Sequence, residues 1–315
     1  MKTKYLILIS FLLVNHLNSQ DQQKVDSLTK ALEVSKDNTS KYNTLNNLWY
    51  QYVDNDIDQA LKFSQDMIDL GHKSNIDTIL THGFERKAVT YAYMNNFDSS
   101  GVYFRKAENI YKKNKDLKRL AGVQRNLGQD HNVIGNLDSA YYYYDEAEKN
   151  YQIVDDSIGL ASIYNSKSIV FLQKGYYNLA LKQAFQSAAI SEKFKDSIEL
   201  VQNQMVIAAI YGEMKDTVNA ISYHEKILDY FKQIKELRQQ CATLILLSKL
   251  SINNAVENPK TEKRIQEALT IAKKLKDPSL EQQAKHMFSL LKFKQGKSDE
   301  AIRLLEEVVE YNSSN

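Results

Sequence analysis

The sequence of 315 residues contains only two prolines, ten glycines and one cysteine. So few helix-interrupting residues favour long helices over many short strands. The single cysteine, Cys241, cannot form a disulfide within the chain, so packing has to supply the stability, and we expect its thiol to be buried. Because 43% of the residues are hydrophobic and 25% are charged, we expect a globular chain with an all-α fold.

A large excess of charge is also missing. The chain has 41 Lys and Arg against 39 Asp and Glu. Removal of residues 1–19 would take away two basic residues, Lys2 and Lys4, and leave 39 Lys and Arg against 39 Asp and Glu. Proteins that bind nucleic acid gain much of their affinity by neutralising phosphates. A net charge of zero therefore argues against a nucleic-acid partner.

The amino terminus has the pattern of an export signal. Lys2 and Lys4 flank the start of an apolar stretch at 5–14, and residues 17–19 resemble a cleavage site with a small residue at its end. The stretch is too short to span a bilayer as a mature helix, and no later apolar run reaches the roughly 18 residues that a membrane helix needs. We therefore predict a signal peptide at 1–19, a protein exported to the periplasm or cell envelope, and no stable membrane insertion after cleavage. A retained anchor is the alternative.

The sequence repeats itself with a period near 40 residues. One series of small or apolar residues is spaced by 40 at every step, and two further series keep the same period. Small residues that recur in this way predict points where two helices approach closely, and such a period is typical of helical repeats. The three series are Ala60, Ser100, Ala140, Ala180 and Ala220; Ala88, Gly128, Ser168 and Ala208; and Met67, Ala107, Ala147, Ser187 and Ile227.

Each unit is predicted to contain a helix, a short turn and a second helix. In the third unit, apolar or small residues follow helical spacing from Leu120 to Gly128, Gly135-Asn136 interrupts the pattern, and helical spacing resumes at Leu137. An acidic residue opens each unit, where its carboxylate is placed to cap the first helix. These acids are Asp37, Asp77, Asp116, Asp156, Asp196, Glu236 and Asp277, 39 to 41 residues apart.

The stretch "NLGQDHNVIGNLDSAYYYYDEA" resembles a tetratricopeptide repeat. Leu127-Gly128 match the small pair of the first helix, Gly135-Asn136 the turn, and Ala140, Tyr144 and Ala147 the small, aromatic and small positions of the second helix. "FERKAVTYAYMNNFDSSGVYFRKA" and "YNSKSIVFLQKGYYNLALKQAFQS" match more loosely. The period is 40 instead of the usual 34, so we expect longer helices.

The resemblance covers about seven units, from 38 to 311. It implies an all-α, right-handed superhelical solenoid of about seven antiparallel helix pairs in one elongated repeat domain, residues 37–315. Residues 20–36 are predicted to form an amino-terminal capping helix, with Val25, Leu28, Leu32 and Val34 on its apolar face.

Signatures of catalysis are lacking. "QGKS" at 295–298 ends like a phosphate loop, but the earlier glycine of that loop would fall at Leu291, so we interpret it as a turn. The histidines after residue 19 have no metal-ligand spacing, and no base is predictable beside Cys241. His131 and His224 lie where sister units carry Tyr91 and Phe104, which predicts packed core histidines. We predict a protein that is not an enzyme and needs no cofactor or metal.

The resemblance also implies a place for binding, because the first helices of such repeats line a concave groove. A strip of Asn and Gln with Arg between them suits hydrogen bonding to an extended peptide, so we expect a protein or peptide segment as partner. A merely solvated helix face is the alternative. The candidate groove residues are Glu85, Arg86, Tyr93, Arg125, Asn126, Gln129, Asn132, Asn165, Ser166, Gln173, Gln202 and Glu213.

Three readings of the function differ in class. The first is a non-enzymatic exported scaffold that holds a peptide or protein segment in this groove. The second follows from a resemblance to the extracytoplasmic sensing regions of Bacteroidota-type histidine kinases and transcription regulators, which would make the chain the sensor portion of a signalling system. The third, a carbohydrate-binding module, would need exposed groove aromatics, and only Tyr93 qualifies. The sequence does not predict the oligomeric state.

Four consecutive tyrosines, 141 to 144, look like a stacking platform. The period indicates otherwise, because Tyr144 shares its position with Phe104, and Tyr141 and Tyr143 also fall where sister units carry apolar or aromatic residues. Only Tyr142 has polar counterparts, Lys62 and Lys182 among them, and helical geometry turns it toward solvent. We predict three packed rings and one exposed ring.

Overall fold

A computed structural model describes residues 22–253 and 258–314. These residues contain fifteen α-helices and no β-strand, which confirms the all-α prediction. The helices are α1 (Gln22–Val34), α2 (Asn38–Tyr52), α3 (Ile57–Ser74), α4 (Asp77–Tyr93), α5 (Phe97–Asn114), α6 (Leu117–Val133), α7 (Leu137–Ile153), α8 (Ser157–Gln173), α9 (Tyr177–Phe194), α10 (Ser197–Glu213), α11 (Thr217–Gln233), α12 (Leu237–Asn253), α13 (Asn258–Leu275), α14 (Pro278–Lys294) and α15 (Ser298–Ser314).

Helices α2 to α15 alternate along the chain as the first and second helices of the seven predicted units. The described helices group into two compact units, α1–α8 and α9–α15, with the division between Tyr176 and Tyr177. Within each unit consecutive helices pack on each other, and first helices of neighbouring pairs also touch, α6 with α8 and α12 with α14. Within the described ranges, no helix is both long and apolar enough to cross a membrane.

The small residues of the period are buried. Ala60, Ser100, Ala140 and Ala180 are all fully buried, as are Ala88 and Ser168. Gly128 lies against the ring of Tyr144, which is 2% exposed. The predicted close approach of helices is confirmed at Gly128.

Most of the acidic residues that open the units cap their helices as predicted. Asp156, for example, accepts a hydrogen bond from the Gly159 backbone N–H at 3.0 Å. Asp77 differs, because α4 begins at Asp77 itself and Ile76 takes the capping position without a side-chain hydrogen bond. Its carboxylate still lies in the first turn, where negative charge is favourable. The acids that cap are Asp37, Asp116, Asp156, Asp196 and Asp277.

Left-handed backbone positions make the turns between helices. Among the described residues, eight of these positions are occupied by residues other than glycine, Lys115 and Lys195 among them, and three by glycine. This is why ten glycines suffice for so many turns. Gly296 (φ +77°) lies between α14 and α15, so "QGKS" is a turn, as predicted.

Helix α1 packs on the first pair. Val25 is 3% exposed, and Leu28 and Leu32 pack against the cluster that contains Trp49. Val34 was expected on the same face, but it is 74% exposed. Nine residues after Val25, it lies about half a turn away around the helix, so it points outward. The predicted signal peptide lies outside the described residues.

Candidate functional site

The guanidinium of Arg86 is held between two first helices. Its Nε donates to Asn46 Oδ1 at 2.8 Å and its Nη2 donates to the Tyr50 hydroxyl at 2.8 Å. The same group lies 4.7 Å from the Trp49 ring centre and 4.8 Å from that of Tyr50. Arg86 is on α4 and its partners are on α2, so α2 fixes the orientation of this cation. Such cation–π contacts and charge-assisted hydrogen bonds add stability to that position.

Two further contacts join α2 and α4 beside Arg86. The Trp49 indole N–H donates to Thr90 Oγ1 at 2.9 Å, and the Tyr42 hydroxyl lies 2.5 Å from His82 Nδ1. Burial, with a smaller effect of the Arg119 and Arg86 charges, lowers the pKa of His82 to about 4. His82 is therefore neutral near pH 7 and serves as a packed, hydrogen-bonded residue.

Helices α2 and α4 each carry an exposed tyrosine. Tyr50 is 52% exposed and Tyr93 is 50% exposed. Tyr93 lies seven residues after Arg86, which places both on one side of α4. Partial burial, followed by the nearby Asp54 carboxylate to which its hydroxyl hydrogen-bonds, raises the pKa of Tyr93. A cation beside the exposed Tyr50 ring can bind a carboxylate or a peptide carbonyl.

A second arginine links α6 and α8. Arg125 Nη1 donates to Ser162 Oγ at 3.2 Å, and its Nη2 lies 3.4 Å from the Asn126 side-chain oxygen. Ser166, one turn after Ser162, donates its hydroxyl to the Ser162 carbonyl at 2.9 Å. Gln129, one turn after Arg125, is exposed. We call Asn46, Tyr50, Arg86, Tyr93, Arg125 and Gln129 the first-helix face.

Several predicted groove residues take part in packing. The Glu85 carboxylate accepts a hydrogen bond from the Tyr111 hydroxyl on α5, and burial raises the pKa of Glu85. Asn165 is 8% exposed, and the side-chain oxygen of Asn132 is buried. These positions lie toward the neighbouring helices because the first helices pack on two sides. Gln173, at the end of α8, is exposed.

The remaining two predicted residues lie on α10, in the unit formed by α9–α15. Gln202 is half-buried and Glu213 is exposed. The structure therefore places the other ten in the unit formed by α1–α8.

The sequence prediction missed the contribution of α2. Asn46, Trp49 and Tyr50 hold Arg86, yet no residue before 85 was proposed. The period contains the missing signal, since Asn46 lies 40 residues before Arg86 and the two are hydrogen-bonded. Extending the series of polar residues one unit toward the amino terminus would have found them.

The described residues contain no group of three or more His, Cys, Asp and Glu placed to hold a metal. The Cys241 side chain is fully buried, its thiol donates to the Ala268 carbonyl at 3.3 Å, and burial raises its pKa to about 11. A thiol of this kind is a poor nucleophile at neutral pH. His131 stacks on Tyr143 with ring centres 5.4 Å apart, as expected of a packed histidine.

The crevice between α4, α5 and α6 is small. It has a volume of about 30 Å³ and its lining includes Asp77, Tyr111 and Arg119. This is room for about one water molecule, so the crevice is not a small-molecule site.

No family model matches the sequence. Among curated proteins, regulatory protein RapG of Bacillus subtilis (strain 168) is 21% identical over 137 residues. That match covers 44% of this chain and 38% of RapG, so the chain matches well under half of that protein's length.

Solved structures establish the fold. Apo RapI is similar with a TM-score of 0.70 and 17% identity, covering 87% of this chain and 77% of RapI. Tetratricopeptide-like (TPR-like) repeats from a kinesin light chain of Podosopora anserina are similar with a TM-score of 0.55 and 16% identity. This match covers 63% of this chain and 97% of the kinesin light chain repeats. This chain has a tetratricopeptide-type helical repeat fold. At these identities the likeness shows the fold alone.

Two other structures with this fold differ in their described roles. The match with the apo quorum sensor NprR from B. thuringiensis covers 98% of this chain and 85% of the NprR chain, with a TM-score of 0.65 and 14% identity. The match with aspartyl phosphate phosphatase F from Bacillus subtilis covers 99% of this chain and 79% of the phosphatase chain, with a TM-score of 0.61 and 14% identity. The tetratricopeptide-type fold therefore does not by itself exclude catalysis.

Proposed function

We propose that this chain is a protein-interaction scaffold without catalytic activity, and that its first-helix face holds an extended peptide segment of a partner. The observation that carries the proposal is Arg86, whose guanidinium is fixed by Asn46 and Tyr50 on a face with exposed aromatic rings. A cation that is already oriented binds an acceptor at a lower entropic cost than a flexible one.

The hydrogen-bonding capacity of the two arginines supports a peptide partner. A guanidinium has five N–H donors, and Arg86 uses one at Nε and one at Nη2 within the chain. Arg125 likewise uses one at each terminal nitrogen. The remaining donors suit carboxylates and backbone carbonyls, and exposed Gln129 adds a side chain that both donates and accepts.

The similarity to RapG and NprR supports a regulatory role, since one is described as a regulatory protein and the other as a quorum sensor. A second candidate function is therefore the sensor portion of a signalling protein, with the output domain encoded in a longer or a neighbouring reading frame. Such a frame with a membrane helix and a kinase or DNA-binding domain would favour the sensor. Its absence would favour the free-standing scaffold.

Export is part of the same proposal and rests on the pattern of residues 1–19. Cell fractionation followed by amino-terminal sequencing tests it. We expect the protein in the envelope fraction with an amino terminus near Gln20. A cytoplasmic protein that retains Met1 or begins before residue 5 would contradict export.

Crosslinking and capture with the mature chain as bait test the peptide-binding face. We expect Arg86→Ala and Arg125→Ala each to reduce recovery of the same partner at least about tenfold, the usual range for a lost charge-assisted contact. Arg105→Ala is the matched control, because Arg105 is exposed on α5, a second helix. Equal recovery with all three variants would rule out the first-helix face as the binding surface.

A further inference from the structure

The first helices of the unit formed by α1–α8 carry more basic than acidic residues. Helices α2, α4, α6 and α8 together contain seven Lys and Arg but three Asp and Glu, and all three acids lie on α4 and α6. The second helices of the same unit, α3, α5 and α7, have the opposite balance, with seven Lys and Arg and nine Asp and Glu. The excess of positive charge is therefore specific to the first helices.

The three acids of these first helices all bind side chains of α5, a second helix. Because their carboxylates are directed toward α5, they do not pair with the arginines of the first-helix face. Asp77 accepts a hydrogen bond from Asn114 at 3.0 Å, Glu85 accepts one from the Tyr111 hydroxyl, and Asp130 accepts one from Ser100 at 2.5 Å.

Arg86 and Arg125 occupy equivalent positions in consecutive first helices, each nine residues after the acid that opens its unit. The groups that they hydrogen-bond are all neutral, and no ion pair joins either guanidinium to another described residue. The two side chains extend in opposite directions, since Arg86 reaches Asn46 on α2 whereas Arg125 reaches Ser162 on α8. One carboxylate placed between α4 and α6 would therefore not pair with both arginines.

We infer that the segment held by the first-helix face is acidic and carries at least two Asp or Glu side chains, one paired with Arg86 and another with Arg125. This inference rests on the proposed peptide-binding function and adds the chemistry of the partner. Each guanidinium retains N–H groups on both terminal nitrogens, which is what bidentate pairing with a carboxylate requires. The neutral groups that hold the arginines orient them without cancelling their charge.

Charge argues against other extended partners. A basic segment would be repelled by Arg86 and Arg125. A nucleic acid presents a charge at every nucleotide, and proteins that bind it match this backbone with many cations. Two of the seven basic residues on these first helices, Lys118 and Lys167, are already paired with acids of the chain. A peptide with a few separate carboxylates fits the remaining charges better.

Selection from a random peptide library displayed on phage, with the mature chain as bait, tests the inference. We expect the selected peptides to be enriched in Asp and Glu over the starting library. A chain with Arg86→Glu and Arg125→Glu should lose this enrichment and select Lys and Arg instead. Arg105→Glu, the same reversal at an exposed position on α5, is the matched control and should select acidic peptides like the unchanged chain.

A synthetic copy of a selected peptide gives the affinity by fluorescence anisotropy. Replacing its Asp and Glu by Asn and Gln keeps the shape but removes the charge, and should weaken binding at least about tenfold. Arg125→Ala should weaken binding of the acidic peptide to a similar extent and leave binding of the neutral copy unchanged. A variant that had lost its fold would lose both peptides, so this comparison separates recognition of charge from stability.

Three results would overturn the inference. Selected peptides without acid enrichment, whose binding still requires Arg86 and Arg125, would show that the face binds peptides but that the partner is not acidic. Failure to enrich any peptide over a selection without bait would contradict the peptide-binding function as well. A single-stranded DNA oligonucleotide that binds the unchanged chain as tightly as the acidic peptide and displaces it would assign the face to nucleic acid.

Discussion

The ring of Tyr144 lies so close to Gly128 that a β-carbon on Gly128 would be 2.6 Å from its Cε1 atom. Tyr144 is on α7 and Gly128 on α6, so the contact sets how closely the two helices of the third pair approach. The ring is 2% exposed and has little room to move. We expect Gly128→Ala and Gly128→Leu to lower the free energy of unfolding by about 1–3 kcal/mol, the usual cost of overpacking.

Gly122 on the same helix is the control for that prediction. A β-carbon there would meet only the Tyr151 hydroxyl, at 3.7 Å, which is an ordinary contact. Because alanine stabilises a helix interior relative to glycine, Gly122→Ala should raise the free energy of unfolding by up to about 1 kcal/mol. Urea denaturation of the three variants measures the difference, and a loss at Gly122 as large as that at Gly128 would contradict the packing argument.

Lys115 has a left-handed backbone conformation, with φ of +56°. Residues other than glycine are strained there by roughly 1 kcal/mol. We expect Lys115→Gly to raise the melting temperature by a few degrees. Gly135 is the reverse test, since its φ is +80° and a β-carbon there would meet nothing within 4 Å. Gly135→Ala should therefore destabilise through the backbone alone, and an unchanged melting temperature would show that this turn relaxes without cost.

Asp130 gives the stability a specific dependence on pH. Burial raises the pKa of this carboxyl to about 6, although Ser100 donates a hydrogen bond to it at 2.5 Å. The folded chain thus favours the neutral acid, so its contribution is fully present below about pH 4 and is lost as the pH rises through 6. At pH 7.5 we expect Asp130→Asn to have a free energy of unfolding roughly 1–3 kcal/mol higher than that of the unchanged chain.

The same two chains should have nearly equal stability near pH 3.5, where the aspartate is protonated in both states. Asp98→Asn, at an exposed position on α5, is the control and should show no gain at pH 7.5. A gain for Asp130→Asn that stays constant from pH 3.5 to 7.5 would mean that its cause is not the buried charge.

His224 acts in the opposite direction. Burial lowers the pKa of His224 to about 4. Between about pH 6.5 and 4, His224 is therefore protonated in the unfolded chain but neutral in the folded chain. Stability is therefore lost as the pH falls through this window. His224→Phe, which copies Phe104 at the equivalent position, should flatten the decline measured by thermal melts. An unchanged slope would show that other groups dominate it.

Arg125 distinguishes binding from stability. The group is half-buried and its hydrogen bonds to Ser162 and Asn126 are long, at 3.2 and 3.4 Å. Arg125→Ala should change the free energy of unfolding by less than about 1 kcal/mol, well below the effect of Gly128→Leu. A larger drop in melting temperature for Arg125→Ala than for Gly128→Leu would contradict the assignment of Arg125 to an exposed face.

The tyrosine run shows how far sequence predicts packing in this chain. The period placed Tyr144 in the core and Tyr142 outside, and they are 2% and 60% exposed. Tyr143 stacks on His131 and Tyr141 packs on Phe171. These predictions are confirmed because every unit repeats the same constraint, and several aligned units average out local exceptions.

Single polar side chains were harder to place. Glu85 and Asn165 have a polar character and helical register that fit an exposed groove, but both lie toward packed neighbours. Val34 follows three apolar residues of α1 yet points outward. The groups that bury Glu85 and Asn165 belong to neighbouring helices, which the sequence around each residue does not contain, whereas Val34 points outward because it lies about half a turn from Val25 around its own helix.

The sequence by itself determined the helices, their pairing and the buried small residues, because helical spacing, capping and close packing depend on short segments that recur every 40 residues. Only the tertiary structure decided which polar groups stay available. It fixed Arg86 with Asn46 and Tyr50 from another helix, and it left the side chains of Ile302 and Val309 exposed on α15. The physical reason is that availability depends on what packs against a side chain, and in a repeat fold this differs between units even when their local sequences agree.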